Sequence, residues 1–288
     1  MNDYIFYMKN RITLFMLAAF FVACSTPTIS GDDSDELSSY SEKVEWNDHI
    51  SSSLNMSGDD EISSSSIETL ATPCKTRVED KCEYGKITDG RDGKRYKTVK
   101  IGDQWWMAEN LNYADSVRTP SLLNRSWCYG NVPKNCSKYG RLYTWAAAID
   151  SAKLYKDESI DCGDDKTCSL PDIVQGICPS GWHLPTEMEW ETLVGGRYGD
   201  AVLLKSVTGW EAYEGVVNKD VFGFAALPAG LRYNSGEFTG DGTHANFWST
   251  SQRGTDNGAF WVGISYGDVV GVGDFNKYHA LSIRCIKD

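Results

Sequence analysis

Apolar and polar positions alternate along several short segments of the chain, and this pattern predicts β-strands. The clearest case is Tyr96–Ile101, after which a Gly102–Asp103 turn returns the chain through Gln104 to Leu111. Beyond Trp210, short apolar runs between glycine-rich turns predict further antiparallel strands at 222–226, 230–233, 246–251, 259–265 and 281–286.

Two other segments carry the spacing of a helix. One runs from Gly140 to Ile149 and places its apolar residues on a single face. The other begins at Thr186, which forms a capping box with Glu189, and it ends at Gly195. Acidic residues in a first turn more often cap a helix than act as a catalytic pair. Short helices followed by twisted antiparallel strands predict an α+β fold.

Composition and charge narrow the class of protein. The chain has 288 residues, of which 41% are hydrophobic, so it can form a substantial core. Its net charge is −12, which argues against a nucleic-acid partner. Residues 24–73 carry −10 of that charge, whereas residues 74–288 carry only −3. The sequence contains no run of about 20 apolar residues, so we expect no membrane-spanning helix.

Residues 1–23 resemble a lipoprotein signal peptide. Lys9 and Arg11 precede a short apolar run, which ends in a segment resembling a bacterial lipobox, Phe21-Val22-Ala23-Cys24. The resemblance implies cleavage before Cys24 and a lipid on its sulfur, which would give the chain a membrane partner through the anchor. Ser25 in place of an aspartate favours the outer membrane, and an acidic run at 31–36 resembles surface-export signals. The alternative is an ordinary signal peptide with a chance cysteine.

Residues 24–73 form a predicted tether. They are rich in serine and acidic residues and contain few large apolar groups. Such a segment cannot bury enough surface to offset its ordering entropy, so we expect it to be disordered. It could serve as a stalk for the domain that follows at 74–288, or as unstructured filler.

The cysteines predict a disulfide framework in that domain. There are nine, and assigning Cys24 to the lipid leaves eight, for which 105 pairings are possible. Spacing favours Cys74–Cys82, Cys128–Cys136 and Cys162–Cys168, which would leave Cys178 to pair with Cys285. An exported chain would meet the oxidising conditions that disulfides need. A zinc site is the competing hypothesis, but no CxxC motif occurs and the four histidines do not cluster with the cysteines, so we expect no metal or cofactor.

Several motifs in order resemble the Fibrobacter succinogenes major paralogous domain over about residues 86–288. They include Gln104-Trp105-Trp106-Met107-Ala108-Glu109-Asn110-Leu111, Gly181-Trp182-His183-Leu184-Pro185-Thr186, Phe247-Trp248-Ser249 and Ser282-Ile283-Arg284-Cys285. That resemblance implies no particular biochemical role.

A more distant resemblance, carried by residues 184–191 and by Arg284-Cys285, is to the formylglycine-generating enzymes. It implies a C-type-lectin-like fold and a disulfide between Cys178 and Cys285. The copper-binding cysteines of that family have no counterpart between these two positions, so its oxidase activity does not carry over. The Glu-Pro-Asn and Gln-Pro-Asp motifs of calcium-dependent lectins are likewise missing from the sequence.

Aromatic residues are the remaining candidates for binding. Most tryptophans lie in periodic segments and are expected to pack in the core. The better candidates for exposed ligand-binding residues lie in turns rich in glycine or asparagine: Trp210, Tyr213, Tyr233, Phe238 and Tyr266. The sequence carries no nucleophile elbow, phosphate loop or histidine cluster, so we do not expect an enzyme.

We therefore predict an envelope lipoprotein that displays a non-catalytic binding or adhesion domain for polysaccharide. One alternative is an enzyme on a formylglycine-generating-type scaffold, which predicts a free thiol or a bound metal. The other is a structural envelope protein whose partner is another protein.

Overall fold

The computed structural model describes residues 71–195, 200–252 and 257–288. The predictions for the signal peptide, for Cys24 and for nearly all of the tether lie outside the described residues.

The described part of the chain contains short helices and a larger number of strands. The helices are α1 (Pro133–Tyr139), α2 (Trp145–Ala148), α3 (Ser151–Glu158) and α4 (Glu187–Val194). The strands are β1 (Tyr84–Thr88), β2 (Arg95–Ile101), β3 (Gln104–Met107), β4 (Ser126–Trp127), β5 (Leu142–Tyr143), β6 (Trp182–His183), β7 (Ala229–Arg232), β8 (Phe238–Asp241), β9 (His244–Trp248), β10 (Gly258–Ser265), β11 (Val270–Asn276) and β12 (Ile286–Lys287). This content confirms the α+β class.

The strands form two five-stranded sheets and one small ribbon. One sheet has the order β1-β2-β3-β12-β6 and is antiparallel throughout. The other has the order β11-β10-β9-β7-β8, and its β7–β9 contact is parallel. Strands β4 and β5 pair separately. Strand β12 lies between β3 and β6, so it joins β6 to the other three strands of the first sheet.

Aromatic side chains fill much of the core. Trp190 on α4 packs against Trp106 of the first sheet at 4.8 Å and against Phe247 of the second sheet at 5.3 Å between ring centroids. Trp145 and Trp248 are fully buried, and their ring N–H groups donate to the backbone carbonyls of Ser249 and Tyr143. Buried indoles need such partners, so these tryptophans are structural.

Four disulfides staple the described part of the fold, and they join the three pairs that the spacing favoured and the two cysteines that were left over. Three close short loops, Cys74–Cys82, Cys128–Cys136 and Cys162–Cys168. The fourth, Cys178–Cys285, links residues 107 positions apart and connects the segment ahead of β6 to the one ahead of β12.

The capping box of α4 is present. The Thr186 hydroxyl accepts the amide of Glu189, and the Glu189 carboxylate accepts the amide of Thr186 at 2.8 Å. Gly195 ends the helix in the left-handed conformation, with a φ of 73°. The predicted helix from Gly140 to Ile149 is wrong in its first half. Residues 142–143 pair with β4 instead, and Thr144 begins a helix of only four residues.

The predicted strand at 222–226 is also wrong. Phe222, Phe224 and Ala226 are all buried, which explains the alternation. However, Ala225 has a φ of 51°, and the buried guanidinium of Arg284 donates to the carbonyls of Phe224 and Ala225 at 2.7 and 3.0 Å. A side chain therefore satisfies the carbonyls that a neighbouring strand would otherwise take.

Candidate functional site: an aromatic groove

Three of the five aromatic residues singled out from the sequence lie together. Trp210, Tyr213 and Tyr266 line one surface cavity of about 300 Å³, which we call the aromatic groove. Tyr213 is 41% exposed, and its ring meets that of Tyr266 nearly edge-on, with 4.9 Å between the centroids. The two rings therefore form a corner rather than a flat stack.

Exposed aliphatic side chains extend this surface. Val207 and Val217 line the same groove and are 60% and 58% exposed. Single exposed valines are common, but two at one concavity add apolar surface of the kind that ligand pockets use.

Backbone contacts fix the position of Trp210. Its ring N–H donates to the carbonyl of Ala226 at 3.0 Å. Ala226 in turn forms a parallel bridge with Lys205, so the ring is tied to a fixed part of the fold. This hydrogen bond holds the Trp210 ring at the groove wall. Its acceptor, the Ala226 carbonyl, does not line the groove, so the polar groups of the lining stay available to a ligand.

Lys205 supports the groove from behind. It is fully buried, and its ammonium group lies 5.1 Å from the centroid of the Trp210 ring. It donates to the carbonyls of Ser265, Tyr266 and Gly267, and so holds the turn that carries the Tyr266 ring. Burial lowers the pKa of Lys205 to about 8, although the charge of Asp268 opposes that shift.

Polar groups complete the groove. The side-chain oxygen of Asn218 is buried and has no hydrogen-bond partner. Such an orphaned acceptor is uncommon in native proteins because it loses its hydration without compensation. Arg77 and Glu211 also line the groove, and the amide of Glu211 donates to the carbonyl of Gly242 at 2.8 Å. The groove therefore offers stacking faces together with hydrogen-bonding groups of both kinds.

The other two aromatic candidates lie elsewhere. The ring of Tyr233 packs against His279 at 5.1 Å, and Phe238 packs against Tyr129 at 5.4 Å. Phe238 begins strand β8 and does not lie in a turn. The structure does not bring these two residues into the aromatic groove.

Sequence reasoning missed Lys205, Asn218, Val207 and Val217. A lysine or an asparagine in a loop gives no signal of burial, so the first two could not be found. The two valines carried a weak signal, because Val207 stands alone among polar and glycine residues and Val217 belongs to a pair of valines too short to predict a core strand.

A separate group of polar side chains surrounds His183, which does not line the groove. Its two ring nitrogens contact Glu189 at 2.9 Å and Asp288 at 2.8 Å. Burial disfavours the charged ring, but the hydrogen bonds to these two carboxylates outweigh it and raise the pKa of His183 above its ordinary value. The ring joins β6 to α4 and to the residue after β12, so its role is structural.

The described ranges contain neither a cluster of metal-ligand side chains nor a helix that could span a membrane. Between residues 71 and 288, outside the gaps at 196–199 and 253–256, no three histidine, cysteine or acidic side chains are grouped to hold a metal ion. Over the same ranges, no helix has the length and apolar character that crossing a membrane requires.

A disulfide-stapled α+β domain with an exposed aromatic groove is the class that this geometry defines. A profile of the Fibrobacter succinogenes major domain matches residues 99–287, about two thirds of the chain. The chain belongs to this family. No curated protein and no solved structure matches the chain.

Proposed function

We propose that this chain is a cell-envelope lipoprotein whose domain is a non-catalytic binding or adhesion module, with polysaccharide as the ligand of the aromatic groove. The single observation that carries the proposal is the convergence of Trp210, Tyr213 and Tyr266 on one cavity. Sugar rings present apolar C–H faces to aromatic rings and hydroxyl groups to polar neighbours. The charged side chains of Arg77 and Glu211, which line the same cavity, could bind such hydroxyls.

The attachment to the envelope rests on sequence features. The residues that support it are the basic start, the short apolar run and Cys24. A lipid on Cys24 would place the chain at the outer membrane, and the acidic tether up to residue 73 would hold the domain away from it, in a position that permits surface display.

We also propose that the domain has a C-type-lectin-like or formylglycine-generating-enzyme-like fold. The bond between Cys178 and Cys285, which the distant resemblance implies, supports this arrangement. The enzyme chemistry of that family depends on free cysteines. All eight cysteines in the described part of the chain are bonded, which favours a binding role over that enzyme activity.

A protein partner in the envelope is the second candidate. It is favoured by the exposure of Val207 and Val217, because aliphatic side chains at a groove rim suit an apolar side chain of another protein better than a hydroxylated sugar.

The test compares binding of the full chain, purified in detergent, to a panel of neutral and acidic polysaccharides. We expect Tyr213→Ala to weaken binding at least tenfold, because it removes one stacking face. Tyr155→Ala is the matched control, since Tyr155 is 64% exposed on α3 and does not line the groove. Equal binding by both variants, or no binding to any polysaccharide, would overturn the proposal. Crosslinking of Tyr213-dependent partners in intact cells would then support the protein-partner alternative.

The lipid anchor has its own test. Cells grown with an alkyne-tagged fatty acid should label the wild-type chain and leave Cys24→Ser unlabelled. Labelling that persists in the Cys24→Ser variant would contradict the anchor assignment, and this outcome does not bear on the groove.

A further inference from the structure

A second group of aromatic side chains surrounds an arginine on the β7–β8 hairpin. The guanidinium carbon of Arg232 lies 4.1 Å from the centroid of the Trp127 ring and 5.8 Å from that of Phe238. Tyr129 meets Phe238 edge-on at 5.4 Å. We call these four residues the Arg232 cluster; none of them lines the aromatic groove.

The backbone around the Arg232 cluster is tightly held. The amide and carbonyl of Arg232 both pair with Ala280, at 3.0 and 2.8 Å. Trp127 lies on β4 directly before Cys128, whose disulfide to Cys136 clamps that segment. Arginine and indole are therefore presented on fixed strands, which reduces the conformational entropy that the protein would lose on binding a ligand.

The packing of Tyr129 depends on a glycine in β7. A Cβ at Gly230 would come within 2.7 Å of the Tyr129 ring, so only glycine lets this ring lie against the strand. The close approach fixes Tyr129, and through it the edge of Phe238.

The charge of Arg232 is not neutralised. Its Nε–H is buried without a hydrogen-bond partner, and one terminal nitrogen donates to the carbonyl of Tyr233 at 3.2 Å. Burial lowers the pKa of this guanidinium, and no acidic side chain in the described residues offsets that effect. Half-buried arginines are normally paired, and this one has no acidic partner in the described residues, which leaves its charge available to an external anion.

One end of the guanidinium stays open because of a glycine. A Cβ at Gly236 would lie 3.2 Å from the second terminal nitrogen of Arg232, and Gly236 has a φ of 98°. A side chain there would strain the turn and press on the nitrogen. No carbonyl or carboxylate of the described residues accepts from this nitrogen, so its N–H groups are free to meet a ligand.

We propose that the Arg232 cluster is a second ligand site, which takes the carboxylate of an acidic sugar unit in a polysaccharide. A guanidinium matches a carboxylate in shape and charge, and the rings of Trp127 and Phe238 beside it offer apolar surface to the sugar ring. This inference rests on the proposed function only for the class of ligand, a polysaccharide. The residues of the Arg232 cluster differ from those of the groove.

The test uses two forms of one polymer, polygalacturonate and its methyl ester, which differ in the free carboxylate. Full-length wild type, Arg232→Lys and Arg232→Gln are titrated with each form at low salt. We expect both variants to lose at least tenfold in affinity for the acid form and to bind the ester as the wild type does. Arg232→Lys keeps the charge but loses the planar fork, so its loss separates geometry from net charge.

Three controls make the outcome decisive. Arg118→Lys changes an exposed arginine elsewhere, whose side chain is 65% exposed, and should leave binding unchanged. Phe238→Ala keeps the arginine and should weaken binding of the acid form in part, which covers the case of an Arg232 variant that fails to fold. Tyr213→Ala should weaken both forms and leave their ratio as in the wild type.

Two results would overturn the second site. One is binding of the acid form by Arg232→Gln with wild-type affinity. The other is competition by poly-glutamate as strong as that by polygalacturonate, which would point to an acidic protein. A different result would contradict the groove proposal, namely that Tyr213→Ala binds the ester with wild-type affinity.

Discussion

The ammonium group of Lys205 lies 5.1 Å from the centroid of the Trp210 ring and donates to the carbonyl of Tyr266 at 2.8 Å. One buried side chain thus lies near the Trp210 ring and binds the backbone of the turn that carries Tyr266. It has no carboxylate within ion-pair distance in the described residues, and its charge is satisfied by three backbone carbonyls. The shape of the groove is therefore coupled to the protonation of a single lysine.

This coupling predicts that polysaccharide affinity falls as the pH rises through about 8, the pKa of Lys205. A neutral amine has two N–H groups for three carbonyls and loses its attraction to the Trp210 ring. Lys205→Met should weaken binding about tenfold, or about 1.4 kcal/mol, and abolish the pH dependence. Calorimetric titrations between pH 6 and pH 9.5 measure both effects. A wild-type affinity that is flat across this range would contradict the positioning role.

Asn218 predicts effects of opposite sign on stability and on binding. Its unpaired oxygen is buried, so the free protein loses the hydration of that oxygen without gaining a hydrogen bond. A turn of the side chain into the cavity on binding would let a ligand hydroxyl donate to this oxygen. Asn218→Leu, which is similar in size, should leave the free energy of unfolding unchanged or raise it by about 1 kcal/mol, while lowering polysaccharide affinity. Urea unfolding and ligand titration give the two numbers. A loss of both stability and affinity would show that the amide has a structural partner instead.

Helix α4 could be predicted residue by residue because its signals are local. The cap at Thr186, the carboxylate of Glu189 and the glycine at 195 act within ten positions of one another, and each does what its chemistry predicts. Pairing of the short disulfide loops was accessible for the same reason, since cysteines six or eight residues apart are forced near each other.

The segment at 222–226 shows why other parts could not be predicted. Its alternating pattern correctly predicts which side chains are buried. Its backbone conformation, however, depends on hydrogen bonds from Arg284, about 60 residues further along the chain. Residues 281–286 behave similarly. Leu281 pairs with Tyr143 and Ser282 pairs with Phe247, so the chain changes partners before β12 begins and never forms one long strand.

The residues of the aromatic groove could be predicted from the sequence only in part. Turn composition identified Trp210, Tyr213 and Tyr266 as exposed candidates, but it could not separate them from Tyr233 and Phe238. The two groups of aromatic residues differ in where their loops lie in space. Lys205 holds the loop of Tyr266 at the groove through contacts to carbonyls 60 to 62 positions further along the chain.

The disulfides differ in the loops they close, and this predicts a ranking of stability. Replacing both Cys178 and Cys285 by alanine opens a separation of 107 residues and should lower the free energy of unfolding by about 4–5 kcal/mol. The same change at Cys74 and Cys82, eight residues apart, should cost about 2–3 kcal/mol. Guanidinium unfolding of the two double variants checks the ranking, and equal losses would contradict it.

The contacts of His183 predict a pH dependence of stability with a definite sign. Its pKa is raised in the folded state, so its contribution is fully present below the unfolded pKa of about 6.5 and is lost as the pH rises through the folded value. Glu189 behaves oppositely. Burial works against its charge, but the bonds from His183 and Thr186 prevail and lower its pKa, so its contribution is lost as the pH falls through that lowered value.

His183→Gln should therefore cost about 1–2 kcal/mol at pH 6 and less at pH 8.5, because a charge-assisted pair is worth more than a neutral hydrogen bond. Thermal unfolding of the wild type and the variant at both pH values measures the difference. Asp288→Asn is the matched control. It removes one charge and keeps the Glu189 contact at 2.9 Å, so it should show a smaller loss with the same sign. A penalty for His183→Gln that grows with pH would mean that the ring is neutral in the folded protein.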